Sequence, residues 1–485
     1  MSEPCARAAH EARQARAADV VREAAVDPGR TRALTDVLSS SEPPVPVVTD
    51  PDVLTAHARD HATFCPVGVP AALVRPRTTA AVVAVLRAAA RVGMPVVPQG
   101  ARTGLSGGAN AVDGCILVSL EQMNRILEID PAEQTATVQP GVTNAELSRA
   151  VEAQGLFYPP DPASWESSTI GGNVATNAGG LCCVKYGVTG DYVRALEVVT
   201  ADGSVVRTGR RTRKGVAGYD LTRLFVGSEG TLGVITEVTV ALRPRPAPPR
   251  TAVAFFPDAP SACEAVNAYM SAGAQPSMLE LMDGPTLEVV RAYRDLGLPA
   301  DAKAMLIARC DDKRSAADEL TEFLRVCRSF GAEDALLAED AREGDLLIEA
   351  RRLVGPAHEA RGAELVEDVC VPRGRLADLL RGLAEISSRH GVLITCAGHA
   401  GEGNMHPSII FDRDDPTATR AALDAFDAVM ALGLGLGGTI TGEHGVGLLK
   451  RGWLPEEAGE DGMRVQRAVR DALDPHHLLN PGKVL

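Results

Sequence analysis

The sequence predicts an α+β protein made of two regions with different rhythms. Three observations predict it. Short strands alternate with helices up to Leu242, the proline-rich residues 243–249 interrupt that pattern, and long helices then alternate with strands and an antiparallel hairpin.

Residues 1 to about 40 are alanine-rich and read as a helical peripheral arm. Between 71 and 98 the pattern predicts a strand, a helix over 79–92 and a strand over 95–98. A glycine-rich loop over 99–110 follows, then a strand over 115–120. Further strands are expected at 135–139, 195–200 and 234–240, before the linker at 243–249. Beyond it the sequence predicts strand 251–256, helix 261–271, strands 277–282 and 304–310, helix 314–330, strand 364–371 and helix 376–390. Two apolar runs, 391–399 and 406–412, flank a turn containing Gly401, Gly403 and Asn404, and so read as a hairpin. The last forty residues return to helix.

The chain has 485 residues, 45% hydrophobic and 23% charged, as expected of a globular enzyme with two or three domains. A net charge of −14 argues against nucleic acid or an anionic membrane as the main partner, and requires local donors for any anionic ligand. No apolar run approaches the length of a membrane span, and the N-terminus lacks a secretory h-region. The ten cysteines include no Cys-x-x-Cys, which excludes a zinc ribbon and a ferredoxin-type iron–sulfur segment. A reduced, cytoplasmic setting is expected.

Chemistry concentrates near the C-terminus, in Cys396-Ala-Gly-His399-Ala-Gly-Glu402-Gly-Asn404-Met-His406 and in Gly442-Glu443-His444-Gly445. The hairpin brings His399 and His406 roughly opposite each other, close enough for two imidazoles to grip one ion. Glu443 adds an oxygen ligand, which makes a two-histidine, one-carboxylate set with open positions. His444 is left to move protons. The competing reading is a pair of solvated strand-end histidines beside an unrelated Glu-His.

Two small-residue segments point to a second ligand. Loop 98–108 lacks the Gly-Lys-Ser/Thr of an ATP loop and runs between strands, so it is neither a P-loop nor a Rossmann turn. Its backbone N–H groups can still cradle a pyrophosphate, and an ordinary surface turn is the alternative. Residues 167–180 carry no charge and nothing larger than Ile, as if pressed against a flat partner, and residues 227–235 are similar. Gly433-Leu-Gly435-Leu-Gly-Gly438 spells the dinucleotide fingerprint, but helix 418–432 precedes it and strand 439–442 follows, the reverse of the required order.

Together, loop 98–109, Tyr158-Pro-Pro-Asp161, residues 167–180 and 227–235 resemble the FAD domain of vanillyl-alcohol-oxidase-type flavoproteins. The stretches 399–406 and 442–445 with Asn480-Pro-Gly are similar to the branch that oxidises D-2-hydroxy acids, the glycolate oxidase FAD-subunit and D-lactate dehydrogenase family. The resemblance covers roughly residues 45–485. It implies an arm at 1–45, a two-subdomain FAD domain at 46–245, an α+β substrate (cap) domain with an antiparallel sheet at 250–450, and a tail at 451–485 that returns to the FAD domain.

The resemblance also implies roles. FAD would be held by Pro98, Gly100, Ala101, Arg102, Thr103, Gly104, Leu105, Ser106 and Gly107, with Pro160, Asp161, Ser168, Thr169, Gly171, Gly172, Asn173, Asn177, Gly180, Gly233, Ile235 and Asn480. The phosphate loop has no His, so the flavin is expected to be non-covalent. His399, His406 and Glu443 match a divalent-metal site, for zinc or manganese. His444 matches the catalytic base, Arg351 the residue that grips the substrate carboxylate, and Asn404 a substrate contact. Val366, where several relatives have Lys, favours monocarboxylates such as glycolate or lactate. Electrons would leave to a quinone, a carrier protein or an iron–sulfur subunit, and such an electron-transfer partner would place the chain peripherally at a membrane. Association as a homodimer is a further expectation. Two rival readings remain: a flavin-carrying subunit inert without an iron–sulfur partner, and a non-redox enzyme of the alkyl-glycerone-phosphate synthase kind.

Overall fold

The computed structural model describes residues 27–485, and the part of the expected arm over residues 1–26 lies outside the described residues. The chain forms two compact units. The first comprises the described residues up to Gly180, Val188–Arg245 and Glu443–Leu485; the second comprises Leu181–Gly187 and Pro246–Gly442.

In the first unit, helix Pro28–Ser39 begins where the Asp27 side chain accepts from Gly29 N at 2.8 Å. A four-stranded sheet runs in the order Val47–Val48, Ala72–Val74, Ile116–Ser119, Val96–Gln99, the last three mutually parallel. Helix Thr79–Val92 connects two of these strands. Thr78 caps its start through Ala81 N, a contact worth about 1 kcal/mol, and Gly93 ends it with φ +65°. Val82, Val85, Leu86 and Ala89 form its buried face, packed with Val96, Ile116 and the C-terminal Leu479 in one core.

The unit's second sheet is antiparallel, in the order Ile126–Asp130, Thr135–Val138, Val234–Ala241, Val193–Val199, Val205–Gly209. The expected linker is more structured at its start: Arg243–Pro244 pairs with Leu156–Phe157.

The second unit is built on an eight-stranded antiparallel sheet. Helices Ala259–Ser271, Gly284–Tyr293, Ala316–Ser329 and Leu376–His390 have buried apolar faces. The expected strand over 364–371 is split into Ala363–Val366 and Val369–Cys370. Glu367 N donates to Pro407 O at 2.8 Å at the break, and both Glu367 and Asp368 are fully buried there. The expected strand over 439–442 reduces to one bridge, Thr439 to Cys370, after helix Pro416–Gly435. No helix among the described residues is long and apolar enough to cross a membrane.

Candidate active site

A cavity of about 430 Å³ opens in the first unit. The glycine-rich loop forms one wall with Pro98, Gly100, Ala101, Arg102, Thr103, Gly104, Leu105 and Ser106, and Ser168, Thr169, Gly171, Gly172 and Asn173 form another, joined by Gly233 and Ile235. Thr169 caps the short helix Ile170–Thr176 through Gly172 N, and Asn177 closes it in the left-handed region at φ +54°. The two walls touch: a β-carbon on Gly100 would lie 2.4 Å from Thr169 Oγ1. Ser168 Oγ and Asn173 Nδ2 are buried without a hydrogen-bond partner among the described residues. Buried polar atoms are costly unless satisfied, so these two ask for a ligand.

Six expected cofactor residues do not line the cavity. Gly107 turns the loop with φ +76° against Cys65. Pro160 is held through its carbonyl by Asn144 Nδ2 at 2.9 Å, and the cavity wall is formed instead by Pro162, Ala163 and Ser164. Gly180 packs on Asp161, and Asn177 Oδ1 accepts from Gly190 N at 2.8 Å. The Asn480 amide is spent on the carbonyls of Gly108, at 3.0 Å, and Glu229, at 2.7 Å, so it braces the walls.

Glu443 and His444 line the same cavity, with His444 Nε2 4.0 Å from Glu443 Oε1. Asp60 and Glu229 line it too. Burial raises both carboxyls above their ordinary values, Glu229 to about 7.

In the second unit the hairpin pairs Leu393–His399 with Asn404–Phe411. Its register corrects one expectation. His399 faces Asn404 and His406 faces Ala397, so the two histidines are diagonal neighbours. Asn404 is therefore a strand residue, since the turn is complete at Gly403 (φ +88°). The diagonal still brings the rings together, edge to face with centroids 5.1 Å apart. Asn404 Oδ1 is buried without a hydrogen bond among the described residues.

Carboxylates stand behind both rings. Glu280 Oε1 is 2.5 Å from His399 Nδ1, and Asp368 Oδ1 is 3.7 Å from His406 Nδ1. Burial alone would raise the Glu280 carboxyl, but its interactions with the His399 imidazole and the Arg351 guanidinium outweigh burial and hold it at about 2. Arg351, in the last turn of helix Ala341–Arg352, donates from Nε to Glu280 Oε2 at 2.7 Å. A carboxylate on Nδ1 fixes the tautomer that presents Nε2, the arrangement usual behind metal-bound imidazoles. Val366 lies in the strand paired with Ser408.

Sequence reasoning missed Glu229, Glu280 and Asp368. Two of them carried a faint signal. Glu229 is the one charge in residues 227–233, and Glu280 is a lone carboxylate among the apolar residues 278–282.

Residues 70–209 match a family described as FAD binding domain, and residues 245–484 match the family described as FAD linked oxidases, C-terminal domain. The chain is 40% identical over 418 residues to the glycolate oxidase subunit GlcD of Bacillus subtilis strain 168, an alignment covering 86% of this chain and 89% of that protein. It is 35% identical over 430 residues to a D-lactate dehydrogenase of Anaerostipes hadrus, with 86% and 89% covered. Among solved structures, p-cresol methylhydroxylase superposes with a TM-score of 0.79 at 17% identity, covering 95% of this chain and 97% of that one. That last likeness concerns fold alone, and it bears out the expected α+β architecture.

Proposed function

The chain belongs to the FAD-linked oxidases, and we propose that it oxidises a small D-2-hydroxy acid, glycolate or D-lactate, to the 2-oxo acid. The observation that carries this reading is that His444 lines the same cavity as the glycine-rich loop and the unsatisfied Ser168 and Asn173. The named activities of the GlcD and D-lactate dehydrogenase relatives supply the substrate class.

The backbone N–H groups of the loop would hold the FAD pyrophosphate, with Thr169, Gly171, Gly172, Asn173, Gly233 and Ile235 against the flavin. When bound, FAD supplies the acceptor for the hydride from the substrate's C2. His399, His406 and Glu443 are the residues that would hold a divalent cation, which supplies Lewis acidity toward the 2-hydroxyl and carboxylate. Two imidazoles and a carboxylate suit zinc, with manganese as the alternative. The donors fit in one respect: Glu280 Oε1 already occupies the Nδ1 side of His399 at 2.5 Å, which leaves Nε2 for a cation.

His444 takes the proton of the substrate hydroxyl as general base. Arg351, oriented by Glu280, pairs with the substrate carboxylate, a task to which a guanidinium is suited. Asn404 offers its amide as a further contact. Val366 itself offers no charge to a second carboxylate, which favours monocarboxylates. The chain has no iron–sulfur ligand spacing, so its electrons pass to a quinone, a carrier protein or an iron–sulfur subunit. The naming of GlcD as a subunit favours a protein partner.

The test is turnover with a dye acceptor. Glycolate or D-lactate should yield one 2-oxo acid per dye reduced, and L-lactate should not. Failure of every D-2-hydroxy acid in holoprotein with full flavin and metal would refute the proposal.

A further inference from the structure

Glu229 has no part in the chemistry above, yet its setting is unusual. It is buried in the cavity wall, and its backbone is left-handed at φ +49°, flanked by Gly227 at +74° and Gly230 at +72°. A residue with a β-carbon adopts that conformation at a cost, and such costs collect where geometry matters for function. Asn480 Nδ2 pins the Glu229 carbonyl at 2.7 Å.

The turn delivers a carboxylate to a stretch of backbone. One oxygen accepts from Val446 N at 2.7 Å and the other from Gly447 N at 2.9 Å, the second and third residues after His444. From the glycine-rich loop, Ser106 Oγ donates to the carbonyls of Gly445 at 2.8 Å and His444 at 3.2 Å. Gly445 and Gly447 have φ of +82° and +51°. A β-carbon on either would collide with the clamp, 2.9 Å from Glu229 Oε1 or 2.1 Å from Ser106 O. Two glycines within three residues give His444 little rigidity of its own. The rigidity comes from Glu229 and Ser106, both of which line the cavity.

We infer that Glu229 is a positioning residue, whose carboxylate fixes the backbone after His444 and so keeps that imidazole aimed into the cofactor cavity. The role rests on the reading of His444 as the base. Burial pushes the carboxyl up, opposed by the Val446 and Gly447 amides and by Lys450, with Asp60 adding to the rise. A carboxyl that is costly to bury is retained at a site where it makes two backbone hydrogen bonds.

The test compares flavin-loaded wild type with Glu229→Gln and Glu229→Asp. Gln keeps one acceptor but turns an NH2 toward the second N–H, and Asp withdraws the carboxylate by one methylene. Amide hydrogen exchange is read on a peptide covering residues 443–449, and flavin reduction by D-lactate is followed across pH. In Glu229→Gln, flavin content and exchange elsewhere should match wild type, while exchange at 443–449 rises about tenfold or more. Its kcat should fall about tenfold with KM changed less than about twofold, because a small misplacement of a reacting group costs rate more than binding. Glu229→Asp should recover part of both. Unchanged exchange at 443–449 overturns the inference, as does flavin loss with faster exchange throughout the first unit, which would mark a purely structural role. If no hydroxy acid reduces the wild-type flavin while exchange at 443–449 still responds, the clamp is supported and only the oxidation reading falls.

Discussion

Glu280 and His399 form a buried pair, carboxylate oxygen to Nδ1 at 2.5 Å, reaching across 119 residues of sequence between neighbouring strands of one sheet. The second carboxylate oxygen of Glu280 takes Arg351. One side chain thus orients both a proposed metal ligand and the proposed carboxylate anchor. Replacing it with Gln removes the negative charge that sets the imidazole tautomer. Loss of such a partner behind a metal-bound His typically costs about 10–100-fold in affinity. Zinc titration of the apo protein should show a weakening of that order in Glu280→Gln, and an unchanged affinity would remove Glu280 from the account.

His444→Ala should retain its flavin, because the loop and the 168–173 wall are untouched. Its rate of flavin reduction by D-lactate should fall by about two or more orders of magnitude, the usual contribution of a general base. Single-turnover kinetics with matched flavin content checks this. Near-wild-type reduction would exclude the role.

FAD should leave with denaturation, since no His occurs in the glycine-rich loop. Acid precipitation followed by absorbance of the supernatant is sufficient, and a yellow pellet would contradict it.

Stability should carry the signature of Glu229. Its carboxyl is raised from the ordinary 4.5 to about 7 in the folded chain, chiefly by burial. Between those pH values the folded state keeps a proton that the unfolded state has released, so stability falls as pH rises through this window. At about 1.4 kcal/mol per unit the loss is no more than about 3 kcal/mol. Denaturant unfolding of wild type and Glu229→Gln at pH 4.5 and 7.5 isolates it. The wild type should lose ground to the variant as pH rises, and the opposite trend would show that the charged carboxylate is the stabilised form.

Much of the architecture was legible because apolar periodicity is local. Helices Thr79–Val92 and Leu376–His390 and strand Ala304–Cys310 fall where the pattern puts them, each with an uninterrupted buried face. The hairpin was legible in place but two positions off in pairing, because the turn residues do not reveal that Gly403 completes the turn and Asn404 begins the strand. Helix Ile170–Thr176 was illegible, since Gly171, Gly172 and Asn173 are poor helix formers held by the Thr169 cap and surrounding packing. The supports Glu229, Glu280 and Asp368 were missed because their partners lie far along the chain. Asn480 was read as a flavin contact, whereas its amide holds the carbonyls of Gly108 and Glu229.

Anaerobic mixing of the flavin-loaded, metal-replete protein with D-lactate, and separately with L-lactate, tests the central claim most directly. Bleaching of the oxidised flavin band by the D enantiomer alone, abolished when the metal is stripped and restored on its return, is the predicted result. A flavin that stays oxidised with both enantiomers, or that bleaches equally well without the metal, would contradict it.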